Sequence, residues 1–316
     1  MPQDTHEYVI RPLSAGDIPE TDLDRLFGRF YWCRGPEGAR SHLQGAELWG
    51  AWRQGWIGII GLALEPDGSL AITPWTPTAS AGETGMQAVL LDLLEKAKEI
   101  AMSRRVKLVS RMRDIHGDHA EASVNLLKAA GFRRVGLRYV MACDLEDPQV
   151  QEVISEAAGP DTGAVWMPVN DPEAILDLAF ACFHTSEDSV ESDWTREEWA
   201  AWFRTTGQGG RGTFLPAVSE ICILEGRPAG FYLATESNGA LYLSDLGVLP
   251  EQRGLGLGRA LVQRFLSKGM RLGYKTSTVR VAAENTPAVR LYERYGYRRK
   301  ASVAMGEVWP CANRAS

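Results

Sequence analysis

Cysteines are few in this sequence and form no motif. The five of them are scattered along the chain, at Cys33, Cys143, Cys182, Cys222 and Cys311. An odd number without paired spacing argues against a disulfide framework, and no Cys or His spacing matches a metal site. We therefore expect reduced thiols and no bound metal ion.

A long hydrophobic run is also missing. The most apolar stretch, Trp56 to Leu64, is too short and too rich in glycine to cross a bilayer. The first ten residues, MPQDTHEYVI, lack the basic region and the apolar core of a secretion signal. These absences predict a cytoplasmic protein that does not associate with membranes.

The sequence has no excess of basic residues either. It contains 34 Lys and Arg against 40 Asp and Glu, which gives a net charge of -6. Nucleic-acid binding requires clustered cations, so this balance argues against nucleic acid as the main partner. It suits a substrate that carries an amine better than one that carries only anionic groups.

The chain is long enough, and contains enough hydrophobic residues, to form two domains. Its 316 residues are 45% hydrophobic and 23% charged, as expected for a soluble globular protein. A chain of this length divides readily into two domains that each bury a core.

The most informative stretch runs from Leu241 to Leu272. It predicts an apolar strand that ends before Pro250, and apolar residues at helical spacing predict an amphipathic helix from Leu257 onward. The loop between them is rich in glycine, which lets a backbone approach a ligand closely. The first amides of a helix are unpaired and lie at the positive end of its dipole. This combination predicts a phosphate or pyrophosphate site.

Two common phosphate motifs do not fit this loop. The dinucleotide fingerprint needs a third glycine at the position of Arg259, and the ATP loop needs Gly-Lys-Ser or Gly-Lys-Thr at its end. Instead, the run VLPEQRGLGLG, which begins at Val248, resembles the acetyl-CoA loop of the GNAT superfamily of N-acetyltransferases, Val-x-Pro-x-x-Arg/Gln-x-x-Gly-x-Gly/Ala. The first consensus position of the phosphate-binding part falls on Gln252 or on Arg253. The resemblance implies that acetyl-CoA contacts Leu246, Val248, Arg253, Gly254, Leu255, Gly256, Leu257, Gly258 and Arg259.

A second signature follows downstream. The residues from Asn285 to Tyr297 are similar to the family pattern Asn-x-x-Ala-x-x-Leu-Tyr-x-x-x-Gly-Phe, with Tyr297 in place of Phe. In that family the Asn helps to hold the pantetheine arm of CoA, and the Tyr protonates the departing thiolate. The resemblance therefore implies these roles for Asn285 and Tyr292. The structural alternative is that Tyr292 is one more aromatic residue on the buried face of a helix.

Acetyl transfer to an amine also needs a base. An aliphatic ammonium has a pKa of about 10, so a carboxylate must take up a proton, directly or through water. Asp245, on the predicted strand beside the thioester, is the first choice. Glu236 and Glu284, at the ends of the neighbouring strands, are the alternatives. Two of these carboxylates also have a structural explanation. Asp245 could be a surface charge, and Glu284 could cap the helix that begins at Asn285.

The resemblance assigns the polarisation of the thioester carbonyl to a backbone N–H near the end of the same strand, at Leu246 or Val248. Gly247 lies between these two residues and fits a β-bulge. Such a bulge would splay the neighbouring strand and free backbone groups for the pantetheine amides.

The order of predicted elements occurs twice along the chain. Each half reads as a strand, a helix, a hairpin, further strands and two more helices, which predicts an α/β fold with mixed sheets. The arrangement resembles tandem GNAT proteins. We therefore predict two tandem GNAT-like domains, residues 1–155 and 164–316, joined by the stretch from Glu156 to Gly163.

The two halves are not chemically equal. Where the second half has its glycine loop, the first has the stretch from Thr76 to Gly85, which contains no arginine. The positions that correspond to Tyr292 and Asn285 are Leu127 and Ala120. We therefore expect the first domain to be a degenerate, non-catalytic copy, although backbone amides alone could still hold phosphate there.

Together, these features predict an acetyl-CoA-dependent N-acetyltransferase that acts on a primary amine of a small molecule or on a peptide N-terminus. A non-enzymatic acyl-CoA sensor or scaffold is the alternative, because the assignment of the base is open and the first half carries no site. A longer acyl donor is also compatible with a loop that reads the pyrophosphate. We expect the acceptor to contact variable loops, Thr185 to Trp194 and Thr205 to Leu215.

Overall fold

The computed structural model describes residues 8–27, 37, 40, 43–65, 68–72, 84–114, 120–156, 163–184 and 192–309. The chain divides into two compact units, of which one comprises Met1–Val135 with Val303–Ser316 and the other comprises Gly136–Ser302. Both boundaries fall inside β-strands. The division into a non-catalytic domain 1–155 and a catalytic domain 164–316 stays a prediction.

The first unit is built on a sheet of mixed direction. Its strands are β1 (Val9–Leu13), β2 (Glu47–Trp52), β3 (Trp56–Leu64), β4 (Leu70–Ile72) and β5 (Leu108–Asp114). Its helices are α1 (Glu20–Phe27), α2 (Thr84–Arg104) and α3 (Ala120–Ala129). The strands pair in numerical order, and β4 and β5 are parallel whereas the other neighbours are antiparallel. Helix α2 provides the crossover that a parallel pair requires.

The second unit contains the glycine loop. Its strands are β6 (Arg133–Asp144, from Gly136 onward), β7 (Val165–Pro168), β8 (Thr213–Phe214), β9 (Glu220–Leu224), β10 (Arg227–Ser237), β11 (Ala240–Val248), β12 (Thr276–Ala282) and the first part of β13 (Arg298–Val308). Its helices are α4 (Pro148–Glu156), α5 (Leu176–Phe183), α6 (Arg196–Gly207), α7 (Leu257–Arg271) and α8 (Thr286–Arg294). The central strand order is β6-β12-β11-β10-β9-β7, with β8 on β10.

The two units repeat one strand pattern. In the second unit β11 and β12 are parallel, and the pairs β7–β9, β9–β10 and β10–β11 are antiparallel, as in the series from β1 to β5. Helix α7 crosses from β11 to β12 as α2 crosses from β4 to β5, and α3 and α8 follow at the same place. The prediction of a mixed α/β fold in two tandem copies is confirmed.

Helices cover both faces of the second sheet. On one face, which we call the α7 face, Tyr232 and Ala234 of β10 pack in a core with Phe265 of α7. On the opposite face, the α5–α6 face, Phe231 and Leu233 pack in a core with residues of α5 and α6. Alternation along β10 explains this division, because successive strand residues point to opposite faces.

A buried ion pair holds α7 on the sheet. Glu220 of β9 accepts hydrogen bonds from the Tyr232 hydroxyl at 2.6 Å and from Arg264 Nη2 at 3.0 Å, and it pairs with Lys268 Nζ at 2.8 Å. Burial raises the pKa of Glu220, but the hydrogen bonds from these three partners outweigh burial and leave the pKa below its ordinary value. This network fixes the helix whose first turn follows the glycine loop.

The sequence did not predict helix α4. Its buried residues, Val150 and Ile154, form too short an apolar pattern to predict a helix. Three predicted segments lie wholly or mostly outside the described residues: the linker 156–163, the first-half loop 76–85 and the acceptor loop 185–194. In the part of the chain that the structure describes, no helix is long and apolar enough to span a bilayer, and no group of His, Cys, Asp or Glu could hold a metal ion.

Candidate active site

Strands β11 and β12 pair only at their beginnings. Their parallel ladder has three residue pairs, and the last of these joins Leu243 to Val279. Beyond this point β11 continues to Val248, whereas β12 continues to Ala282 as the partner of β6. The two strands therefore diverge, and the second half of β11 faces a gap.

A β-bulge marks the point of divergence. The register of β11 against β10 shifts between Leu243 and Asp245, which makes Ser244 the extra residue. A bulge bends its strand and increases the local twist, so it turns the end of β11 away from β12.

The prediction that Gly247 forms the bulge is wrong, because Gly247 pairs in register with Phe231. Glycine is required at position 247 for a different reason. A Cβ atom at this position would lie 2.6 Å from the Phe231 ring and 2.9 Å from Cβ of Cys182. Gly247 therefore allows α5 to pack directly on the sheet.

Main-chain groups of Leu246 and Val248 face the gap. The N–H of Leu249 donates to the carbonyl oxygen of Ala229 at 3.0 Å, so Leu249 turns its backbone groups toward β10. Backbone groups of successive strand residues point to alternate edges of the strand. Those of Leu246 and Val248 therefore point away from β10, toward the side that β12 has left.

The loop after β11 is shaped by glycine. A 3₁₀ turn at Pro250–Gln252 begins the loop. Gly254 and Gly256 then adopt φ values of 77° and 88°, in the left-handed region that favours glycine. Gly256 is the residue directly before α7, so this conformation directs the chain into the helix.

The loop presents a run of free backbone amides. Within the described residues, the N–H groups of residues 254–258 donate no hydrogen bond. The amides on either side are engaged, since Arg253 donates to Pro250 at 3.2 Å and Arg259 donates to Gly256 at 3.0 Å. The free run therefore lies between Arg253 and Arg259. It stands at the positive end of the α7 dipole, as an anion site requires.

The Arg253 side chain braces this loop. Its Nε donates to the carbonyl oxygen of Val248 at 3.2 Å, and its Nη2 donates to that of Cys182 at 2.7 Å. The guanidinium therefore joins the loop to the ends of β11 and α5, and it places a positive charge beside the free amides. Burial raises the pKa of the Cys182 thiol to about 12, which makes this thiol a poor nucleophile.

Asn285 begins helix α8. Its Oδ1 accepts a hydrogen bond from the Ala288 amide at 3.2 Å, and Pro287 lies in the first turn. The side chain is thus an N-cap in this structure. Its implied contact with the pantetheine arm stays a prediction.

Helix α8 docks on the first turn of α7. The Tyr295 hydroxyl donates to the carbonyl oxygen of Arg259 at 3.1 Å. A Cβ atom at Gly258 would lie 3.5 Å from the Leu291 side chain, which shows that the two helices touch there. These contacts place α8 beside the glycine loop.

Tyr292 packs on the buried side of α8. It is 6% exposed, and its ring meets the Tyr297 ring edge-on at 5.6 Å between centroids. Tyr297 shares a hydrogen bond of 2.6 Å with the Ser277 hydroxyl. The ring of Tyr292 is therefore a core residue, as the structural alternative expects, and its helix lies next to the free amides.

Asp245 is buried rather than a surface charge. It is 7% exposed, and its oxygens accept hydrogen bonds from Trp202 Nε1 at 2.9 Å and from the Ser244 hydroxyl at 2.6 Å. Burial raises the pKa of Asp245, although these hydrogen bonds and the charges of Arg211 and Arg138 act in the opposite direction. A carboxylate with a raised pKa is suited to accept a proton.

The two alternative bases lie in different surroundings. Glu236, near the end of β10, is half-buried and interacts with the Tyr274 hydroxyl. Glu284 is exposed in the turn after β12. Of these three described carboxylates, Asp245 is the one that is buried and that follows the bulge directly.

The sequence does not reveal the surroundings of Asp245. Trp202 packs against Trp194 and Trp199, and no pattern in the sequence indicates its hydrogen bond to Asp245. Arg211 and Arg138 belong to no recognisable motif. They come from separate parts of the chain, so no spacing rule connects them with β11.

The glycine loop, α8 and the divergent strands lie in a segment that matches a known family. Residues 173–297 match the acetyltransferase (GNAT) family. This segment is a GNAT domain. The matched residues include the glycine loop, Asp245, Asn285 and Tyr292, so the predicted resemblance is confirmed.

Curated relatives of the GNAT domain carry the name mycothiol acetyltransferase. The protein from Arthrobacter sp. (strain FB24) is 30% identical over 199 residues, which are 58% of this chain and 56% of the relative. The protein from Actinosynnema mirum is 31% identical over 58% of this chain and 59% of the relative. The match thus spans less than two thirds of the length of these relatives.

A solved structure extends the likeness to the whole chain. The crystal structure of a GCN5-related N-acetyltransferase from Sphaerobacter thermophilus aligns with a TM-score of 0.58, at 18% identity, over 96% of each chain. At this identity the likeness shows the fold alone. The GNAT fold therefore extends beyond the GNAT domain into the first half.

Proposed function

We propose that the protein is an acetyl-CoA-dependent N-acetyltransferase that acetylates a primary amine of a small molecule or a peptide N-terminus. One observation carries this proposal: the free amides of residues 254–258 adjoin strands that diverge just where Asp245 is buried. The name of the relatives, mycothiol acetyltransferase, supports acetyl transfer as the reaction class.

The residues of this site are suited to bind the separate parts of CoA. The free amides at the start of the 15-residue helix α7 would hold the diphosphate. The main-chain groups of Leu246 and Val248 would bind the pantetheine amides in the manner of an added strand. Leu255 and Leu257 lie within the same loop and first turn, and Asn285 caps the neighbouring helix.

The chain supplies three chemical functions in this proposal. Bound acetyl-CoA provides an acetyl thioester. The N–H of Leu246 or Val248 polarises the thioester carbonyl, because it points into the gap between the strands. Asp245 accepts a proton from the acceptor ammonium, and its raised pKa brings it closer to neutral pH. The Tyr292 hydroxyl donates a proton to the departing thiolate.

We assign catalysis to residues 164–316 and a supporting role to residues 1–155. In the first half, the strand that corresponds to β11 is β4, and the helix that corresponds to α8 is α3. Leu127 stands where the second half has Tyr292, and it is fully buried without a hydroxyl group. The first half therefore offers no proton donor at this position.

Two measurements test the proposal. Calorimetric titration of the full chain with acetyl-CoA should show binding, and a panel of primary amines should include one that releases free thiol from acetyl-CoA. Tight binding without thiol release for any amine would favour an acyl-CoA sensor instead. Absence of binding would contradict the site itself.

A pair of variants identifies the base. Asp245→Asn should lower turnover by about 100-fold or more, the usual loss for a removed general base, while acetyl-CoA affinity is retained. Glu284→Gln is the matched control on an exposed carboxylate near the same gap. A loss of turnover in Glu284→Gln alone would move the role of base to Glu284.

A further inference from the structure

Little of Asp245 is open to an acceptor. The residue is 7% exposed, and each of its carboxylate oxygens already accepts a hydrogen bond. Trp202 Nε1 donates to Oδ1 at 2.9 Å, and the Ser244 hydroxyl donates to Oδ2 at 2.6 Å. In the part of the chain that the structure describes, these two side chains are its hydrogen-bond partners. An acceptor ammonium therefore approaches the carboxylate alongside these two groups.

The two partners of Asp245 differ in the hydrogen bonds that they can make. The indole N–H of Trp202 is a donor only, and its ring packs against Trp194 and Trp199. A serine hydroxyl donates one hydrogen bond and can accept two. Among the described residues, no group donates to the Ser244 hydroxyl oxygen. This oxygen can therefore accept a hydrogen bond from an acceptor while its own proton points to Asp245.

The β-bulge places Ser244 at the opening between the strands. Ser244 is the extra residue of β11, so it has no partner in the β10 register. The ladder of β11 with β12 ends one residue earlier, at Leu243. Ser244 is half-buried, whereas Asp245 is almost fully buried. Ser244 is thus the more accessible member of the hydrogen-bonded pair, and it stands where the gap begins.

We propose that Ser244 relays a proton from the acceptor ammonium to Asp245, a role that rests on the proposed function. An N–H bond of the ammonium breaks and Ser244 Oγ takes this proton, while the O–H bond of Ser244 breaks and Asp245 Oδ2 takes that proton. The acceptor becomes a neutral amine with a free electron pair, Asp245 becomes a neutral carboxylic acid, and Ser244 is again a hydroxyl. Ser244 is therefore a catalytic residue, whereas Trp202 positions the base.

Three charged or titratable groups surround this pair. Burial raises the pKa of Asp245, and the charges of Arg211, from the loop after α6, and of Arg138 on β6 lower it. Burial also raises the pKa of Tyr242 on β11, so its hydroxyl stays neutral at neutral pH. All three groups are retained in variants of Ser244. A difference between such variants therefore reports on the Ser244 hydroxyl.

Two variants of equal shape test the relay. Ser244→Thr keeps a hydroxyl group and Ser244→Val replaces it by a methyl group, and both are β-branched residues that suit a strand. Thiol release from acetyl-CoA is measured with the full chain for propylamine, benzylamine and glycylglycinamide, and the most active amine is used. The kcat of Ser244→Val should be at least about 100-fold below that of Ser244→Thr, at equal Kd for acetyl-CoA. Equal kcat values would overturn the proposal.

Urea unfolding shows whether both variants are folded. If Ser244→Val is not, Ser244→Ala removes the hydroxyl without added bulk and is compared with Ser244→Thr in the same way. A kcat of Ser244→Ala as high as that of Ser244→Thr would likewise contradict the relay.

The pH profile separates a relay from mere support of the carboxylate. Loss of a supporting hydrogen bond raises the pKa of Asp245 and moves the acidic limb of kcat, but activity recovers on the plateau above this limb. Loss of the relay lowers the plateau itself. Trp202→Phe is the matched control, because it removes the other hydrogen bond to the same carboxylate. The plateau of Ser244→Val should lie at least about tenfold below that of Trp202→Phe. Equal plateaus would reduce Ser244 to a positioning residue.

The two proposals fail differently in these measurements. Thiol release that is equally fast in Ser244→Thr and Ser244→Val would retain acetyl transfer and reject the relay. Thiol release that is lost in Glu284→Gln and kept in Asp245→Asn would reject the base and the relay together. Absence of thiol release from the wild type with every amine would reject the transfer reaction, while acetyl-CoA titration reports on the loop separately.

Discussion

Trp202 donates a hydrogen bond from Nε1 to Oδ1 of Asp245 at 2.9 Å, which joins helix α6 to strand β11. The Ser244 hydroxyl donates to the other carboxylate oxygen at 2.6 Å. Ser244 is itself the extra residue of the bulge that separates β11 from β12. The same local irregularity therefore opens the sheet and orients the carboxylate before any acceptor binds.

Trp202→Phe should shift the pH dependence of catalysis. The indole hydrogen bond lowers the pKa of Asp245, so its loss raises this pKa further. Asp245 must be ionised to accept a proton, and the acidic limb of the kcat/KM profile should move to higher pH by about half to one unit, as for one lost hydrogen bond. Ser244→Ala should act in the same direction. An acidic limb that stays in place in both variants would remove Asp245 from the role of base.

Gly256→Glu should abolish acetyl-CoA binding. The new side chain is strained at a φ of 88°, and its carboxylate would stand beside the free amides where the diphosphate is expected. Gly226→Glu is the matched control, because Gly226 has a φ of 75° in the turn between β9 and β10 with nothing within 4 Å of an added Cβ. Calorimetric titration should detect binding in the control but not in Gly256→Glu. Equal affinity in both variants would place CoA elsewhere.

Tyr292→Phe should lower turnover and spare affinity. The ring remains in the core against Tyr297, and only the proposed proton donor is lost. We expect kcat to fall by about 100-fold with an unaltered Kd for acetyl-CoA. Tyr295→Phe removes a hydroxyl that bonds to the carbonyl oxygen of Arg259, so it is the control for a structural tyrosine at the end of the same helix. An equal change of kcat in the two variants would reduce Tyr292 to a packing residue.

Glu220→Gln should destabilise the second unit at neutral pH. Removal of the charge leaves Arg264 and Lys268 without their buried carboxylate, and because Arg264 is partly exposed we expect a loss of about 2 kcal/mol in the free energy of unfolding. The pKa of Glu220 is lower in the folded protein than its ordinary value of 4.5. Its contribution is therefore complete above that value and disappears as the pH falls through the folded pKa.

Urea unfolding measures this contribution. The difference between the wild type and Glu220→Gln should be largest at pH 7 and should shrink at acidic pH. Glu173→Gln is the control, because Glu173 pairs with Arg204 at the surface and should change stability by less than about 1 kcal/mol. A difference for Glu220→Gln that does not depend on pH would show that packing, and not charge, is lost.

The local elements of the site were predictable from the sequence. Pro250 and the glycines from Gly254 onward indicate where β11 ends and α7 begins, because their backbone preferences act within a few residues. Asn285 and Pro287 mark the start of α8 for the same reason. Helix α4 escaped prediction because a single pair of buried residues carries too little periodicity.

The position of the bulge was not predictable. A glycine suggests a bulge, but Gly247 serves the close approach of Cys182 and Phe231, and the register shifts at Ser244 instead. Register depends on the partner strand, whose residues are not encoded within β11. The sequence alone likewise cannot show that an amide is already engaged, as that of Arg259 is.

What the sequence can predict therefore depends on how far apart along the chain the interacting residues lie. By itself, the sequence determined the repeated α/β pattern, the glycine loop and the helix that carries Tyr292, since these follow from backbone preferences and apolar spacing between near neighbours. Only the tertiary structure decided that Trp202, Arg211 and Arg138 surround Asp245. These contacts join β6, α6 and β11 across a folded sheet, and burial and charge act there between residues that no local pattern connects.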